Sequence, residues 1–142
     1  GLGDVFSVRI AGNIINEDIL GSLEYACKVA GSKLILVLGH SKCGATIGAC
    51  SGVKIGNLTQ LLNKFQPSID TVKLQYPDAV MTDPGFVDAV SHRNVLNSIN
   101  EIMTKSQHLK EMVDNGEIGI VGAFYNLDTG EVEFMDEHIK QG

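Results

Sequence analysis

The chain has 142 residues, of which 44% are hydrophobic and 20% charged, and this composition suits one compact domain with a buried core. Its net charge of −6 and the lack of a basic run argue against nucleic acid or an anionic membrane as partner. No stretch approaches the roughly 20 apolar residues of a membrane span. Three cysteines without paired spacing, and a start without the pattern of a signal peptide, favour a cytoplasmic, reducing location.

The first half of the chain predicts a strand, a helix and a second strand. Val5–Ile10 has strand-forming residues, and Asn16 is placed to cap a helix that runs to about Ala30, where Gly31 stops it. Leu34–Leu38 is an unbroken apolar run, which is typical of a strand buried on both faces. This order predicts a βαβ unit with a right-handed crossover.

The second half predicts helices followed by a hairpin. Helical spacing of apolar residues predicts helices over 45–50, 57–65, 86–103 and 107–113. Residues 118–125 predict another buried strand, and the turn at 127–131 predicts an antiparallel return over 132–135. The expected fold class is therefore α/β, a single domain over residues 1–142. Its sheet is expected to be mostly parallel, flanked by helices, with an antiparallel C-terminal edge strand.

A candidate metal half-site follows the strand predicted at Leu34–Leu38. His40 and Cys43 come directly after it, at the strand end where α/β sheets bind ligands. We expect Gly39 to allow a sharp turn and Gly44 to let backbone approach a ligand. Zinc takes nitrogen and sulfur donors of this kind. The residues alone leave an alternative open, in which a hydrogen-bonded histidine and a buried thiol only stabilise the strand end.

The other cysteines and histidines favour structural interpretations. Cys27 lies on the core side of the first predicted helix, and Cys50 lies two helical turns beyond Cys43, too far to share one metal ion without refolding. His92 lies among apolar residues and is expected to be partly buried and hydrogen-bonded. His108 and His138 lie in polar segments and are expected at the surface.

Four segments carry a family resemblance. Residues 3–13 read GDVFSVRIAGN, residues 22–26 SLEYA, residues 39–45 GHSKCGA and residues 121–132 VGAFYNLDTGEV. In this order they closely resemble the β-class carbonic anhydrases, and the last of them resembles that family's final hairpin. The resemblance covers nearly the whole chain and therefore implies that family's fold and function.

The resemblance implies a zinc-dependent enzyme that reversibly hydrates carbon dioxide to bicarbonate. In the family two cysteines and one histidine hold zinc, which lowers the pKa of bound water toward about 7 and makes hydroxide available. His40 and Cys43 match the histidine and the second cysteine. Gly44 matches a glycine whose backbone N–H contacts bound anion, and Arg9 matches an arginine that binds bicarbonate at an inhibitory site in some members. The family also implies a homodimer or a larger homo-oligomer.

One family motif has no match in this sequence. The first cysteine ligand lies in a Cys-x-Asp-x-Arg motif upstream of the strand matched by Val5–Ile10, so we expect no catalytic residue in this chain. The N-terminal helices and the first, central strand are likewise expected to be absent, which would make the domain N-terminally incomplete. The alternative to an active enzyme is a truncated or non-catalytic chain with a vacant half-site. A third hypothesis is an α/β binding domain in which Cys43 senses oxidants.

Overall fold

A computed structural model describes residues 3–135 and 140–141, and this part of the chain is built from α-helices and the strands of one sheet. A turn of 3-10 helix at Ala11–Asn13 precedes the first α-helix. The helices are α1 Glu17–Glu24, α2 Gly44–Cys50, α3 Gly56–Asn63, α4 Gln66–Gln75, α5 Pro84–Lys105 and α6 Gln107–Asp114. The strands are β1 Leu34–His40, β2 Gly119–Tyr125, β3 Val132–Phe134 and β4 Lys140–Gln141.

The sheet is small and mixed, with β2 at its centre. β1 runs parallel to β2, from Leu34 opposite Gly119 to His40 opposite Tyr125. On the other side of β2, β3 and β4 pair antiparallel with its C-terminal and N-terminal halves. The α/β class, the parallel pair and the antiparallel C-terminal strand are as predicted, although the parallel part among the described residues is confined to β1 and β2.

The strand predicted at Val5–Ile10 is wrong. These residues carry no strand pairing in the described part of the chain, and most of them are exposed. Phe6 instead packs its ring near that of Tyr25, with centroids 6.0 Å apart. The βαβ unit that was expected to begin here therefore does not form, because a strand pattern gives a strand only where a neighbour pairs with its backbone.

β1 differs from the prediction in having one exposed face. Ile35, Val37 and Gly39 are buried, whereas Leu34 and Leu36 are 58% and 46% exposed. The backbone alternates in the same way. Lys33 and Ser41 form backbone hydrogen bonds with β2, so the odd-numbered residues between them also direct their N–H and C=O groups toward β2. The intervening residues turn their N–H and C=O groups to the open edge, where the Asn13 side-chain amide donates to the Leu38 carbonyl.

The long helix α5 packs closely on the sheet through Val95. A Cβ built on Gly39 of β1 would lie 2.7 Å from Cγ2 of Val95, and one built on Gly122 of β2 would lie 2.8 Å from Cγ1. Neither glycine has a positive φ, so close approach rather than backbone conformation requires them. Val95 is 1% exposed and thus fills the space that the two glycines leave.

α5 organises a second apolar cluster through its first half and a polar seam through its middle. The cluster joins α2, α3 and α4 to α5 around Phe65, which is fully buried. In the seam, the amide of Asn94 donates to the Gly12 carbonyl at 2.9 Å, and the Ser98 hydroxyl donates to the Asn13 carbonyl at 3.2 Å. These bonds hold the 3-10 turn against α5.

The predicted helices are confirmed with two differences. Asn16 caps α1 as expected, accepting the Ile19 N–H at 2.8 Å, but the helix continues past Glu24 as a π-helical turn over Tyr25–Val29. The second difference is α4, which is not among the predicted helices, and its Pro67 lies in the first helical turn, where proline is well suited. Within the described ranges, no helix has the length and apolar character needed to cross a membrane.

Candidate metal centre

The candidate ligands lie on a short turn between β1 and α2. The strand extends to His40, two residues further than predicted, and Ser41 and Lys42 form the turn before Cys43 at the N-terminal end of α2. Lys42 has the left-handed backbone conformation, with φ 55°. The turn is therefore made at Lys42 and not at Gly39, which is inside the strand and packs on α5.

The His40 side chain is half-buried, and one of its ring nitrogens has a partner. Nδ1 lies 2.8 Å from the carbonyl oxygen of Ser41. A carbonyl can only accept, so Nδ1 carries the hydrogen in this bond, and in the neutral ring the lone pair then lies on Nε2. Metal-binding histidines have this arrangement, in which a second-shell acceptor fixes the tautomer that leaves the other nitrogen free.

Cys43 and Gly44 begin α2 beside this histidine. Cys43 is only 6% exposed, and its backbone is extended, as at the cap position of a helix. A Cβ built on Gly44 would meet no atom within 4 Å, so packing does not require glycine there. α2 is held on α5 by a buried bond in which the Ser91 hydroxyl donates to that of Thr46 at 2.9 Å.

The β2–β3 turn holds the ligand turn from the other side. The Ser41 N–H donates to the Tyr125 carbonyl at 3.0 Å, and the Ser41 hydroxyl accepts the Leu127 N–H at 2.9 Å. Lys42 forms an ion pair with Asp128 at 2.6 Å, and this partner raises the pKa of the lysine. Both charged side chains are mostly exposed, so the ion pair contributes little to stability.

The two candidate ligands line one cleft of about 1450 Å³. One wall is formed by residues 4–15, the other by residues 32–40 and 43–46, and part of α5 forms the floor. His40, Cys43, Gly44 and Arg9 all contribute to the lining. The structure therefore places the four sequence-predicted site residues at a common cavity, with His40 and Cys43 on one turn.

The donors present fit part of a zinc site. An imidazole with a free Nε2 and a cysteine thiol are the donor types that zinc prefers. Among residues 3–135 and 140–141, however, no group of three His, Cys, Asp or Glu side chains is placed to hold a metal ion. Catalytic zinc takes three protein ligands, so His40 and Cys43 supply two of the number needed.

Among the remaining cysteines and histidines that the structure describes, burial and exposure are as expected, while the hydrogen bond expected for His92 stays a prediction. Cys27 and Cys50 are buried free thiols, and burial raises the pKa of both, that of Cys50 to about 11. His92 is half-buried and stacks on Phe124, with ring centroids 4.0 Å apart. His108 is exposed, whereas His138 lies outside the described residues.

Comparison with known proteins identifies the family. A family model described as carbonic anhydrase matches residues 1–132. The chain belongs to the β-class carbonic anhydrase family. It is 36% identical over 141 residues to carbonic anhydrase 2 of Mycobacterium tuberculosis, covering 96% of this chain and 65% of that protein. It is 34% identical over 138 residues to a carbonic anhydrase of Mycolicibacterium smegmatis, covering 94% and 64%.

Solved structures show the same fold. One of two tetrameric β-carbonic anhydrases from the ascomycete Sordaria macrospora superposes with a TM-score of 0.83 at 24% identity, covering 95% of this chain and 70% of that one. The β-carbonic anhydrase CcaA superposes with a TM-score of 0.85 at 24% identity, covering 100% and 74%. The chain thus has the β-carbonic anhydrase fold, while it spans slightly less than two thirds of the length of the curated relatives it matches.

Sequence reasoning missed the residues that hold the ligand turn. In the sequence Ser41 is recognisable only as part of the motif, and Leu127 and Asp128 only as part of a hairpin turn. The contacts join residues 86 positions apart in the chain, so local patterns contain no sign of them. A small hydroxyl residue directly between His40 and Lys42 is the one local hint, since serine commonly accepts backbone N–H groups at turns.

Proposed function

We propose that this chain contributes to zinc-dependent, reversible hydration of carbon dioxide, in which carbon dioxide and water give bicarbonate and a proton. Family membership supports the reaction class. The observation that carries the proposal is the turn between β1 and α2, where His40 Nδ1 bonds the Ser41 carbonyl and where His40 and the buried Cys43 line the same cleft.

The roles of the residues follow from their chemistry. His40 Nε2 and the Cys43 thiolate would hold zinc, and zinc supplies the Lewis acidity that makes water nucleophilic at neutral pH. Gly44 is the first residue of α2 and lines the cleft, so its N–H, which has no acceptor within the helix, would be offered to an anion, and the guanidinium of Arg9 would bring positive charge to the same cleft for bicarbonate. At least one more ligand must join these two, and we assign proton transfer to no residue of this chain.

The alternative is a non-catalytic carbonic-anhydrase-like chain with a vacant half-site. It is favoured by the lack of a three-ligand cluster in the part of the chain that the structure describes. Two protein ligands hold zinc weakly, because each missing donor removes binding energy that water replaces only in part. A chain of this kind would bind little zinc and would not hydrate carbon dioxide.

We further propose a homodimer or a larger homo-oligomer in the cytoplasm. The Sordaria macrospora relative of similar fold is tetrameric. In this chain, several large apolar side chains beside the cleft are exposed, and subunit contact is one way to remove them from water: Val5, Phe6, Leu34, Leu36 and Leu38. Three free thiols agree with a reducing compartment.

Zinc content and carbon dioxide hydration, measured on the same preparations, test the proposed reaction. The purified chain is dialysed against zinc, freed of excess metal, analysed for zinc per chain and assayed by stopped flow with a pH indicator. The enzyme proposal, in which a further ligand completes the site, predicts about one zinc per chain together with hydration, and it predicts that both are lost in His40→Ala and in Cys43→Ala. His108→Ala serves as the matched control, because this histidine is exposed on α6 and should leave zinc and hydration unchanged.

The outcomes separate the two functions. Zinc and hydration that depend on His40 and Cys43 support the enzyme. A wild-type chain without zinc and without hydration supports the vacant half-site. Zinc that survives both substitutions would refute the assignment of these residues as ligands.

A further inference from the structure

We infer that Ser41 is a positioning residue, whose side-chain bond to the β2–β3 turn holds His40 in the tautomer that leaves Nε2 free. The metal-binding consequence rests on the proposed function, but the tautomer itself is a property of the metal-free chain. The inference connects two contacts, the Leu127 N–H donating to the Ser41 hydroxyl and His40 Nδ1 donating to the Ser41 carbonyl.

The carbonyl that accepts from His40 belongs to the peptide between Ser41 and Lys42, and Ser41 itself is held by two hydrogen bonds. Its N–H continues the ladder by donating to Tyr125, and its hydroxyl accepts from Leu127, so its backbone and side chain are both bound to the end of β2. The residue is only 5% exposed, which leaves water little access to replace either bond. The direction of the Ser41 carbonyl is therefore set by contacts with a distant segment.

The peptide that follows Ser41 is under strain. Lys42 has φ 55°, a conformation that a residue with a Cβ adopts at a cost. Rotating the plane of the peptide between Ser41 and Lys42 would relieve that conformation, but it would also turn the Ser41 carbonyl away from His40. The anchored serine opposes this rotation, while the exposed Lys42–Asp128 ion pair adds little to it.

The bond to the carbonyl selects one of two neutral forms of His40. A histidine without a partner at Nδ1 can place its hydrogen on Nε2, where it would block a metal ion. With the Ser41 carbonyl in position, the hydrogen is retained on Nδ1. Loss of the Ser41 hydroxyl should thus change His40 without any direct contact between the two side chains.

Nitrogen-15 NMR of the metal-free full chain tests this inference. Protonated and unprotonated imidazole nitrogens have well separated resonances, and spectra at about pH 9 report neutral histidines. We expect His40 of the wild type to show a protonated Nδ1. In Ser41→Ala we expect the Nδ1 resonance to move toward the unprotonated position and the Nε2 resonance to move the opposite way.

Two further variants give independent checks. Leu127→Pro removes the donor N–H while keeping Ser41, in a turn that Asn126 still closes by accepting two N–H groups. It should reproduce the shift, and it decides the matter if Ser41→Ala does not fold. Ser41→Thr keeps the hydroxyl and should restore the wild-type spectrum.

A matched control separates positioning from stability. Ser106→Ala removes a similar buried bond, from the Leu109 N–H to the Ser106 hydroxyl, at the start of α6. It should lower stability and leave the His40 resonances unchanged. The inference is overturned if the wild type shows Nε2 protonated, if Ser41→Ala and Leu127→Pro keep the wild-type spectrum, or if Ser106→Ala shifts it equally.

A zinc titration then connects the tautomer to the metal. Loss of a second-shell partner typically weakens metal affinity roughly 10- to 100-fold, and we expect a decrease of this size in Ser41→Ala by competition with a chelator. A wild-type chain that takes up no zinc would refute the proposed function, while the NMR result would still decide the role of Ser41.

Discussion

Substitution of Gly39 by alanine should destabilise the protein through one contact. The new methyl group would lie 2.7 Å from Cγ2 of Val95, while Phe124 Cδ2 and the Ser91 carbonyl oxygen, each at 3.6 Å, limit its escape in other directions. Gly39 does not have a positive φ, so alanine introduces no backbone strain. The expected loss is therefore steric, and overpacking of this kind costs about 1–3 kcal/mol.

Val95→Ala makes the cost of that contact measurable. Alone it removes two buried methyl groups, worth about 0.8 kcal/mol each, and leaves a small cavity, for a total of about 2–3 kcal/mol. In the double variant the new methyl group at position 39 occupies part of the space that the Val95 methyl groups leave. We expect the double variant to lose about as much as Val95→Ala alone, which corresponds to a coupling energy of about 1–3 kcal/mol.

Urea unfolding followed by circular dichroism gives all the free energies needed for this cycle. Gly21→Ala is the matched control, because a Cβ there meets no atom within 4 Å and α1 should gain about 0.5–1 kcal/mol. Additive losses, with a coupling below about 0.5 kcal/mol, would refute the close approach of Gly39 and Val95.

Three more outcomes follow from other contacts. Asn16→Ala should lower the free energy of unfolding by about 1 kcal/mol, because the Ile19 N–H loses its cap, and an unchanged urea midpoint would contradict this. Asn94→Ala should cost about 1–3 kcal/mol in the same assay, because the Gly12 carbonyl loses its donor, and a loss below about 0.5 kcal/mol would count against that bond. Burial raises the pKa of Cys50 from 9.0 to about 11, so the folded state keeps a proton that the unfolded state releases. Stability should therefore fall between about pH 9 and 11, and Cys50→Ala should reduce that slope when unfolding is measured across this range.

The sequence allowed correct predictions at several places where the signal is local. The cap at Asn16, the apolar spacing of α5 and the hairpin after β2 each depend on residues a few positions apart. Val5–Ile10 shows the limit, because the same alternation is compatible with a strand or with an unpaired segment. Only a partner strand distinguishes the two, and no described residue supplies one. The prediction that both faces of β1 are buried fails for a similar reason, since hydrophobicity alone does not show whether a face is covered.

The residues of the candidate site also divide into those that the sequence predicts and those that it does not. His40 and Cys43 could be found from the sequence because they lie three residues apart after a strand, in a motif that is recognisable as a unit. The contacts of Ser41 and Lys42 with the β2–β3 turn could not, because they depend on the register of two strands that are distant in the chain. That register places Tyr125 opposite His40, and the β2–β3 turn therefore lies against the ligand turn.

The one-sided pairing of β1 gives the strand two kinds of amide hydrogen. Those of Ile35, Val37 and Gly39 point toward β2, whereas those of Leu34 and Leu36 point toward the open edge. In deuterated solvent the first group should exchange only when the sheet opens, and the second should exchange as soon as water reaches the edge. Exchange rates that alternate along β1 would thus show that this edge is accessible to water. Uniformly slow exchange would show that another segment or subunit covers the edge.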